Sequence, residues 1–269
     1  MNGDSHKAAS VTVTEGPDAR LDEAALSAAS RRGTVALSGR EVRRVSKLWT
    51  QTILPPVVTA VLFMAVFGGA LGGELRQVSG IQYLWFILPG LLVTTVSGQA
   101  FANASTSLYQ ARNEGYIDDV LSSPLRSAEV VLSYMVGGLY RGWITAAIVG
   151  ACALPFVPGV DNWALAMLVL VLTGIWADSF DQQAFIAALI IAPLALLGGV
   201  FYSVETLSEP WRTLTMFDPI YYLVDAERAG ITGLHESAVW LSVLVAAVVA
   251  VIVTLWAIRM FRTGRRLRP

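Results

Sequence analysis

Residues 238–258 read AVWLSVLVAAVVAVIVTLWAI and contain no charged side chain. A helix needs about 20 apolar residues to cross a hydrocarbon core of about 30 Å. This stretch has that length, and it carries Trp240 and Trp256 near its ends, where aromatic residues anchor helices at membrane interfaces. Arg259 follows directly. The stretch therefore predicts a helix that crosses a bilayer.

The composition extends this prediction to the whole chain. Of 269 residues, 14% are charged and 55% are hydrophobic, and the mean hydropathy is +0.58. An ordinary soluble domain has about 25% charged residues. A single cysteine and two histidines exclude a disulfide framework and a His- or Cys-based metal cluster. The net charge of −1 argues against nucleic acid as the main partner. We expect a polytopic membrane protein.

Five further apolar stretches precede the one above, so the sequence predicts an all-α integral membrane protein with six transmembrane helices. The fourth stretch is short, because its 16 residues, rising about 1.5 Å each, reach only about 24 Å. Six spans, unlike five, leave the basic N-terminal segment and the basic C-terminal tail on the same side. A re-entrant pair formed by the fourth and fifth stretches would do the same. The predicted spans are residues 53–71, 83–103, 130–151, 163–177, 183–201 and 238–258.

The N-terminal segment divides into two parts. Residues 1–37 are rich in Ala, Ser and charge and show no sustained apolar period, so we expect a disordered cytoplasmic tail before a membrane domain over residues 38–269. Residues 38–49 instead predict a basic amphipathic helix in the headgroup region. A solvated basic flank of the first span is the alternative. The residues that define the predicted interfacial helix are Arg40, Arg43, Arg44, Lys47 and Trp49.

The distribution of Lys and Arg predicts the orientation. Fifteen of the nineteen basic residues fall in the N-terminal segment, the 104–129 loop and the C-terminal tail, which six spans place on one side. Basic residues accumulate in cytoplasmic loops, so both termini are expected in the cytoplasm of a multi-pass plasma-membrane protein.

The sequence contains no G-x-x-x-x-G-K-[ST] phosphate loop and none of the common hydrolase motifs. We therefore expect no catalytic residue, no directly bound metal or cofactor, and an energy source outside the chain. The 104–129 loop offers a place for a partner. Glu114 and Asp118 are four residues apart, so a helix beginning near Arg112 would put both carboxylates on one face, suited to docking on a soluble protein. An ordinary solvated loop is the alternative.

Several motifs in order make the chain recognisable. They are LWTQTILPPVVTAVLF at 48–63, EGYIDDVLSSPL at 114–125, SFDQ at 179–182, and the long segment from APLALLGGVFYSVETL through FDPIYYLVDAERAGITG at 192–233. Over residues 40–269 the sequence resembles the ABC-2 type permease family, in the branch of the nodulation-factor and daunorubicin-resistance exporters.

The resemblance implies a membrane subunit of an ATP-binding cassette exporter. Two such permeases, identical or related, pair in the membrane, and two separate ATPase subunits bind ATP and Mg²⁺ below them. Residues 38–49 match the interfacial connecting helix of the family, and residues 210–217 and 219–229 match short helices on the outer face. The 112–124 segment matches the coupling helix that contacts the ATPase, with Glu114, Gly115, Asp118, Asp119, Leu121 and Pro124 as docking residues.

Polar and aromatic residues inside the predicted spans are candidates for the translocation pathway or its gate, because polar groups are costly there. Arg141 could serve the pathway or act as an interhelical charge, or it could snorkel or pair with a carboxylate such as Asp178. The polar residues of the second span could equally bond neighbouring helices. Glu205, Asp218, Asp225 and Glu227 could contact substrate or form a solvated surface. The pathway candidates are Thr94, Gln99, Asn103, Tyr134, Arg141, Phe201 and Tyr202.

One departure from the family pattern weakens the transport assignment. Residues 172–176 (LTGIW) reach the SFD-like turn early, which shortens the fourth span. A non-transporting or defective membrane scaffold is therefore the alternative function. A secondary transporter would need inverted repeats and buried titratable groups, and neither is evident in the sequence. The substrate, whether drug-like, lipid or glycan, is not encoded in any motif.

Overall fold

The computed structural model of the chain describes residues 17–67, 77–113, 125–178 and 193–263, together with residues 115, 120 and 123. This part of the chain is mainly helical, with one two-residue hairpin in which β1 (Gln77–Val78) pairs antiparallel with β2 (Ile81–Gln82). The helices are α1 (Pro17–Lys47), α2 (Trp49–Thr52), α3 (Leu54–Ala65), α4 (Tyr83–Asn113), α5 (Ser127–Ala153), α6 (Trp163–Asp178), α7 (Trp211–Thr215), α8 (Pro219–Thr232) and α9 (Val239–Thr263).

Within the described ranges, three helical segments are long and apolar enough to cross a membrane: Tyr83–Ala111, Ser127–Phe156 and Val239–Arg262. A fourth arises if Ser27–Lys47 and Trp49–Ala65, bent by 77°, form one span. These segments confirm a polytopic helical membrane protein. The predicted count of six spans stays a prediction, because most of the predicted fifth span, residues 183–192, lies outside the described residues.

The first helix begins earlier than predicted. The sequence predicts a disordered tail to residue 37, and this is wrong for residues 17–37, which belong to α1. The helix is held by contacts with α5 that hydropathy does not reveal. Leu37 is buried against Val130, and Ser30 Oγ donates a hydrogen bond of 2.5 Å to Glu129 Oε2. The N-terminal segment thus docks on the base of α5.

Helix α4 lies at the centre of the fold and packs against α3, α5, α6 and α8. Its buried side chains, among them Phe86, Ile87 and Val96, join two apolar clusters with residues of the surrounding helices. Helix α6 packs on α4, α5, α8 and α9. One face of this short fourth stretch is buried, including Val169 and Trp176, whereas Trp163, Met167 and Leu168 are exposed. The packing is close: a Cβ atom on Gly174 would lie 2.6 Å from Leu139 Cδ2.

Helices α3 and α9 present exposed apolar faces. The exposed side chains on α9 recur at helical spacing, as expected for one face of a helix. Apolar surface of this extent marks a membrane or protein contact. The exposed residues are Leu54, Val58, Val61, Leu62 and Phe63 on α3, and Leu244, Val248, Val251, Ile252, Leu255 and Trp256 on α9.

Candidate functional site

A buried polar cluster joins α1 to α4, and we call it the inner joint: Glu41, Arg44, Asn103, Ser107 and Gln110. Arg44 Nη2 lies 2.8 Å from Glu41 Oε2 and donates to Asn103 Oδ1 at 2.9 Å. Arg44 also donates to Ser107 Oγ and, at 3.0 Å, to Gln110 Oε1, and Ser107 Oγ donates to Glu41 Oε2 at 2.7 Å. One guanidinium therefore holds three side chains of α4 and one of its own helix.

Helical spacing explains the convergence. Glu41 and Arg44 are one turn apart on α1, and the three α4 residues recur at spacings of four and three, which places them on one face. The carboxylate of Glu41 is fully buried. Burying a charge costs free energy unless it is paired and hydrogen-bonded. Glu41 Oε2 meets both conditions through Arg44 and Ser107, whereas Glu41 Oε1 and Asn103 Nδ2 are buried without a hydrogen-bond partner in the described part of the chain.

Gly137 on α5 makes room for the inner joint. A Cβ atom at this position would lie 2.8 Å from Glu41 Cβ and 2.9 Å from Asn103 Nδ2, closer than such contacts normally occur. Three helices thus meet at the inner joint, and any shift of α4 along α5 has to displace α1 as well.

Arg141, the one charge predicted inside a span, lies nearby on α5. Its Nε donates to Gln99 Oε1 at 2.8 Å, and its Nη2 donates to the Thr52 carbonyl at 3.3 Å. Both partners are neutral oxygens on other helices. Of the alternatives for Arg141, these contacts support the interhelical one.

The other polar candidates of the spans contact groups within the helical bundle. Thr94 Oγ1 donates to the Gly90 carbonyl of its own helix at 2.8 Å, and Asn103 is part of the inner joint. Tyr134 packs against Leu37 and Val130. For Thr94 and Asn103, the contacts agree with helix bonding.

The predicted interfacial face of residues 38–49 is partly exposed. Arg43, Lys47 and Trp49 are exposed, whereas Arg44 is largely buried in the inner joint. Arg44 therefore faces the bundle, where polar partners on α4 hold its guanidinium, and the position of this helix in the headgroup region stays a prediction. Arg40 is half-buried.

The predicted ATPase-docking segment lies mostly outside the described residues. Helix α4 ends at Asn113, and Gly115 is exposed with a φ of 76°. Glu114, Asp118, Asp119, Leu121 and Pro124 lie outside the description. Leu125, the residue that follows this segment, is described. A Cβ atom on Gly33 of α1 would lie 3.0 Å from Leu125 Cδ2. Helix α1 therefore passes beside Leu125.

At the end of the bundle opposite the inner joint, an aromatic group joins the predicted first, second and fifth spans. Its members are Phe63, Phe67, Tyr83 and Phe201. The Phe201 ring stacks 5.6 Å from Phe67 and 5.8 Å from Phe63, measured between centroids. The Tyr83 hydroxyl donates to the Phe201 carbonyl at 2.9 Å. Tyr202, the other predicted gate residue, donates to the Leu197 carbonyl at 2.9 Å. The group brings three spans together at one end of the bundle.

Arg228 on α8 is a buried residue that sequence reasoning missed. Its Nη2 donates to the Gly199 carbonyl at 2.6 Å, and its guanidinium lies 4.1 Å from the Phe86 ring centroid. Its Nη1 is 3.8 Å from Glu236 Oε1, and the Glu236 carboxylate accepts hydrogen bonds from Val204 N. Arg228 thus connects α8 to α4 and to the turn at Gly199. The hydropathy of a short segment holds no signal for such a contact.

The structure separates the four acidic residues for which substrate contact and a solvated surface are the alternatives. Glu205 is exposed, whereas Asp218, Asp225 and Glu227 are buried. Asp218 Oδ1 accepts from Ile220 N at 2.8 Å and caps α8, and burial raises the pKa of this carboxyl to about 6. Asp225 accepts from both the backbone and the hydroxyl of Ser237. Asp218 and Asp225 thus stabilise the fold locally.

Comparison with known proteins agrees with this architecture. Residues 32–232 match the family model described as ABC-2 type transporter. The inner membrane transport permease YadH of Escherichia coli is 32% identical over 243 residues, covering 85% of this chain and 94% of that protein. Nodulation protein J of Neorhizobium galegae is 22% identical over 212 residues, covering 74% and 81%.

The match covers the inner joint, Arg141, the aromatic group and Arg228 alike. The helices long enough to cross a membrane and the similarity to a membrane permease agree with each other. The resemblance inferred from the sequence motifs is therefore confirmed. The chain belongs to the ABC-2 type transporter family of membrane transport components.

Proposed function

We propose that the chain is the permease subunit of an ATP-binding cassette exporter. It would move a drug-like or lipid or glycan substrate out of the cell, using ATP hydrolysed with Mg²⁺ by a separate subunit. The observation that carries the proposal is the family match over 201 residues together with the inner joint, which ties three helices at one end of the bundle. A joint of this kind suits a subunit that must transmit motion from a partner.

The proposed route of coupling follows the contacts. An ATPase bound to residues 112–124 would act on the end of α4 and, through Leu125, on α1. Since Arg44 bonds side chains on α4 and Gly137 admits Glu41 against α5, a displacement of either end would move the three helices together. The aromatic group at the far end of α4 would then open or close the exit.

We further propose that two copies, or this chain and a relative, pair within the plasma membrane, with both termini cytoplasmic. The exposed apolar faces of α3 and α9 support lipid and subunit contacts. If the translocation path lies between two permease copies, α6 would not need to span the full thickness of the bilayer.

A membrane scaffold without transport is the second candidate, and the length of α6 favours it. This helix has 16 residues, and at about 1.5 Å each it spans about 24 Å, short of a hydrocarbon core of about 30 Å. Deep packing of α6 on four other helices agrees with either function.

Co-purification with the cognate ATPase tests the docking segment. We expect Glu114→Lys with Asp118→Lys to abolish co-purification, because the acidic face is inverted. Glu205→Lys with Glu209→Lys changes two exposed acidic residues of the segment between the predicted fifth and sixth spans and should leave it intact. Unchanged association of the first variant would contradict the docking assignment.

Substrate-stimulated ATP hydrolysis by the reconstituted complex separates the two functions. An exporter should hydrolyse ATP faster when its substrate is present and should accumulate substrate in inverted vesicles. A complex that forms normally but shows neither response to drug, lipid and glycan panels would favour the scaffold.

A further inference from the structure

Glu227 lies in the middle of α8 and is fully buried, with no exposed surface. Neither of its carboxylate oxygens has a hydrogen-bond partner in the described part of the chain. A buried carboxylate without partners is strongly disfavoured, because ionisation requires hydration or a counter-charge. Glu227 therefore differs from Asp218, whose Oδ1 accepts a hydrogen bond from Ile220 N, and from Asp225, both of whose oxygens accept hydrogen bonds.

Helical spacing gives the surroundings of Glu227. Leu223, Val224 and Ile231, three or four residues away on α8, lie on the same side of the helix. Leu223 and Val224 belong to an apolar cluster with residues of α4, α6 and α9, and Ile231 belongs to one with residues of α4 and α6. Glu227 thus lies in an apolar seam where α8 packs on its neighbours.

The seam is closed by backbone contacts as well as side chains. A Cβ on Gly230 would lie 2.8 Å from Ala166 N, so α8 and α6 approach as closely as backbones allow. Asn162 N donates to the Gly230 carbonyl at 2.6 Å, and Asp161 N donates to the Ile231 carbonyl at 3.0 Å. Water can reach Glu227 only if this packing loosens.

The charged groups around the seam leave Glu227 without a counter-charge. On α8 itself, Arg228 bonds Gly199 and faces the Phe86 ring, while Asp225 bonds Ser237. Glu236 lies in the loop after α8 and is 3.8 Å from Arg228. Tyr83 on α4 bonds the Phe201 carbonyl. Other titratable groups near α8 are Asp161, Tyr202, Glu205, Asp218, Tyr221, Tyr222 and His235, the last of which is exposed in the loop after α8. Residues 163–173 of α6 and 239–253 of α9 contribute none.

We propose that Glu227 is a proton-dependent lock: α8 seats against α4 and α6 while the carboxyl is protonated, and the seat loosens when the proton passes to water. Burial in the seam also raises the pKa of Glu227 well above its usual range. Opening the outer end of the permease and losing this proton are then linked, independently of any ATPase or transported substrate.

The sign of the effect follows from linkage. The folded chain holds the proton more tightly than the unfolded chain, in which a glutamate has a pKa of about 4.3. The contribution of Glu227 is therefore fully present below about pH 4.3 and is lost as pH rises through the folded-state pKa. Within this window the unfolding equilibrium constant should increase by up to about tenfold per pH unit.

Thermal and denaturant unfolding of the purified full-length chain tests the lock, with Glu227→Gln as the variant that stays neutral. We expect wild type to lose stability relative to Glu227→Gln as pH rises from 5 to 9. Glu205→Gln, an exposed control, should follow wild type. Parallel pH profiles of wild type and Glu227→Gln would overturn the proposal, and since no ATPase is present, this result is separate from a failure of the exporter function.

Hydrogen exchange on wild type provides a second measurement that needs no folded variant. Peptides from residues 219–232 should lose protection between pH 6 and pH 8 relative to peptides from residues 130–150, which correct for the intrinsic pH dependence of exchange. Equal changes in the two segments would overturn the lock, whatever the behaviour of the variant.

Discussion

Arg141 and Gln99 join α5 to α4 through a hydrogen bond of 2.8 Å between Nε and Oε1. Arg141 lies in the predicted third span and Gln99 in the second. The guanidinium also donates to the carbonyl of Thr52, one residue before the predicted first span. A charge within a span usually marks a function, and here it marks a connection between three spans.

We expect Arg141 and Gln99 to be energetically coupled. Arg141→Met and Gln99→Leu each remove one end of the bond, so the double variant should lose less stability than the sum of the single ones. A coupling of about 0.5 to 2 kcal/mol is expected, since hydrogen bonds between membrane helices have measured values in this range. Unfolding of the four proteins in mixed micelles measures it, and strict additivity would contradict the contact.

Glu41→Ala should destabilise the protein strongly. It leaves Arg44 without its carboxylate in a largely buried position, and breaking a buried ion pair costs about 3–5 kcal/mol. Arg43→Ala is the control, because Arg43 is exposed and, within the described residues, its side chain bonds the Gly39 carbonyl of its own helix. Thermal unfolding in detergent gives the comparison. Equal midpoints for the two variants would show that the inner joint contributes no stability.

Gly137→Ala should also destabilise, by about 1–3 kcal/mol, the usual cost of overpacking. The added Cβ would lie 2.8 Å from Glu41 Cβ. Gly150→Ala, on the same helix, meets no atom within 4 Å and should be neutral or stabilising by up to about 1 kcal/mol, since alanine favours the helix. Unfolding midpoints of the two variants should therefore shift in opposite directions or by clearly different amounts. If both behave alike, α1 does not pack on α5 as described.

Single-cysteine labelling checks the predicted orientation. In a Cys152→Ser background the chain has no other cysteine. Glu205→Cys, exposed in the outer segment, should react with a membrane-impermeant maleimide in intact cells, whereas Arg31→Cys, exposed on α1, should react only after permeabilisation. The reverse pattern would place both termini outside the cell.

Much of the membrane architecture was predictable, since hydropathy is a local property. The helices at residues 83–111, 127–156 and 239–262 contain the second, third and sixth predicted stretches. Pro55 and Pro56 lie in the first turn of α3, where proline is tolerated. The prediction of disorder for residues 17–37 was wrong because hydropathy is local. A polar helix that packs on a neighbouring helix shows no apolar period in its own sequence.

The site was less predictable. Gln99, Asn103 and Arg141 were identified as costly polar groups in spans, but their partners were not. Glu41 and Arg228 had no sequence signal, because each lies in a charge-bearing segment outside the predicted spans. Their burial depends on residues distant in sequence, such as Ser107 for Glu41 and Gly199 for Arg228.

The amino-acid sequence is enough to show a helical membrane permease, because uncharged runs of about 20 apolar residues have the length and hydropathy to cross a bilayer, and because the family motifs can be read along the chain. Which charges are buried, and which partner each has, depends on how the helices pack. Arg44 and Asn103 are 59 residues apart, and the free energy of their contact exists only when α1 and α4 are packed together. The burial of Glu227 is of the same kind, since it depends on the seam that closes around the side chain.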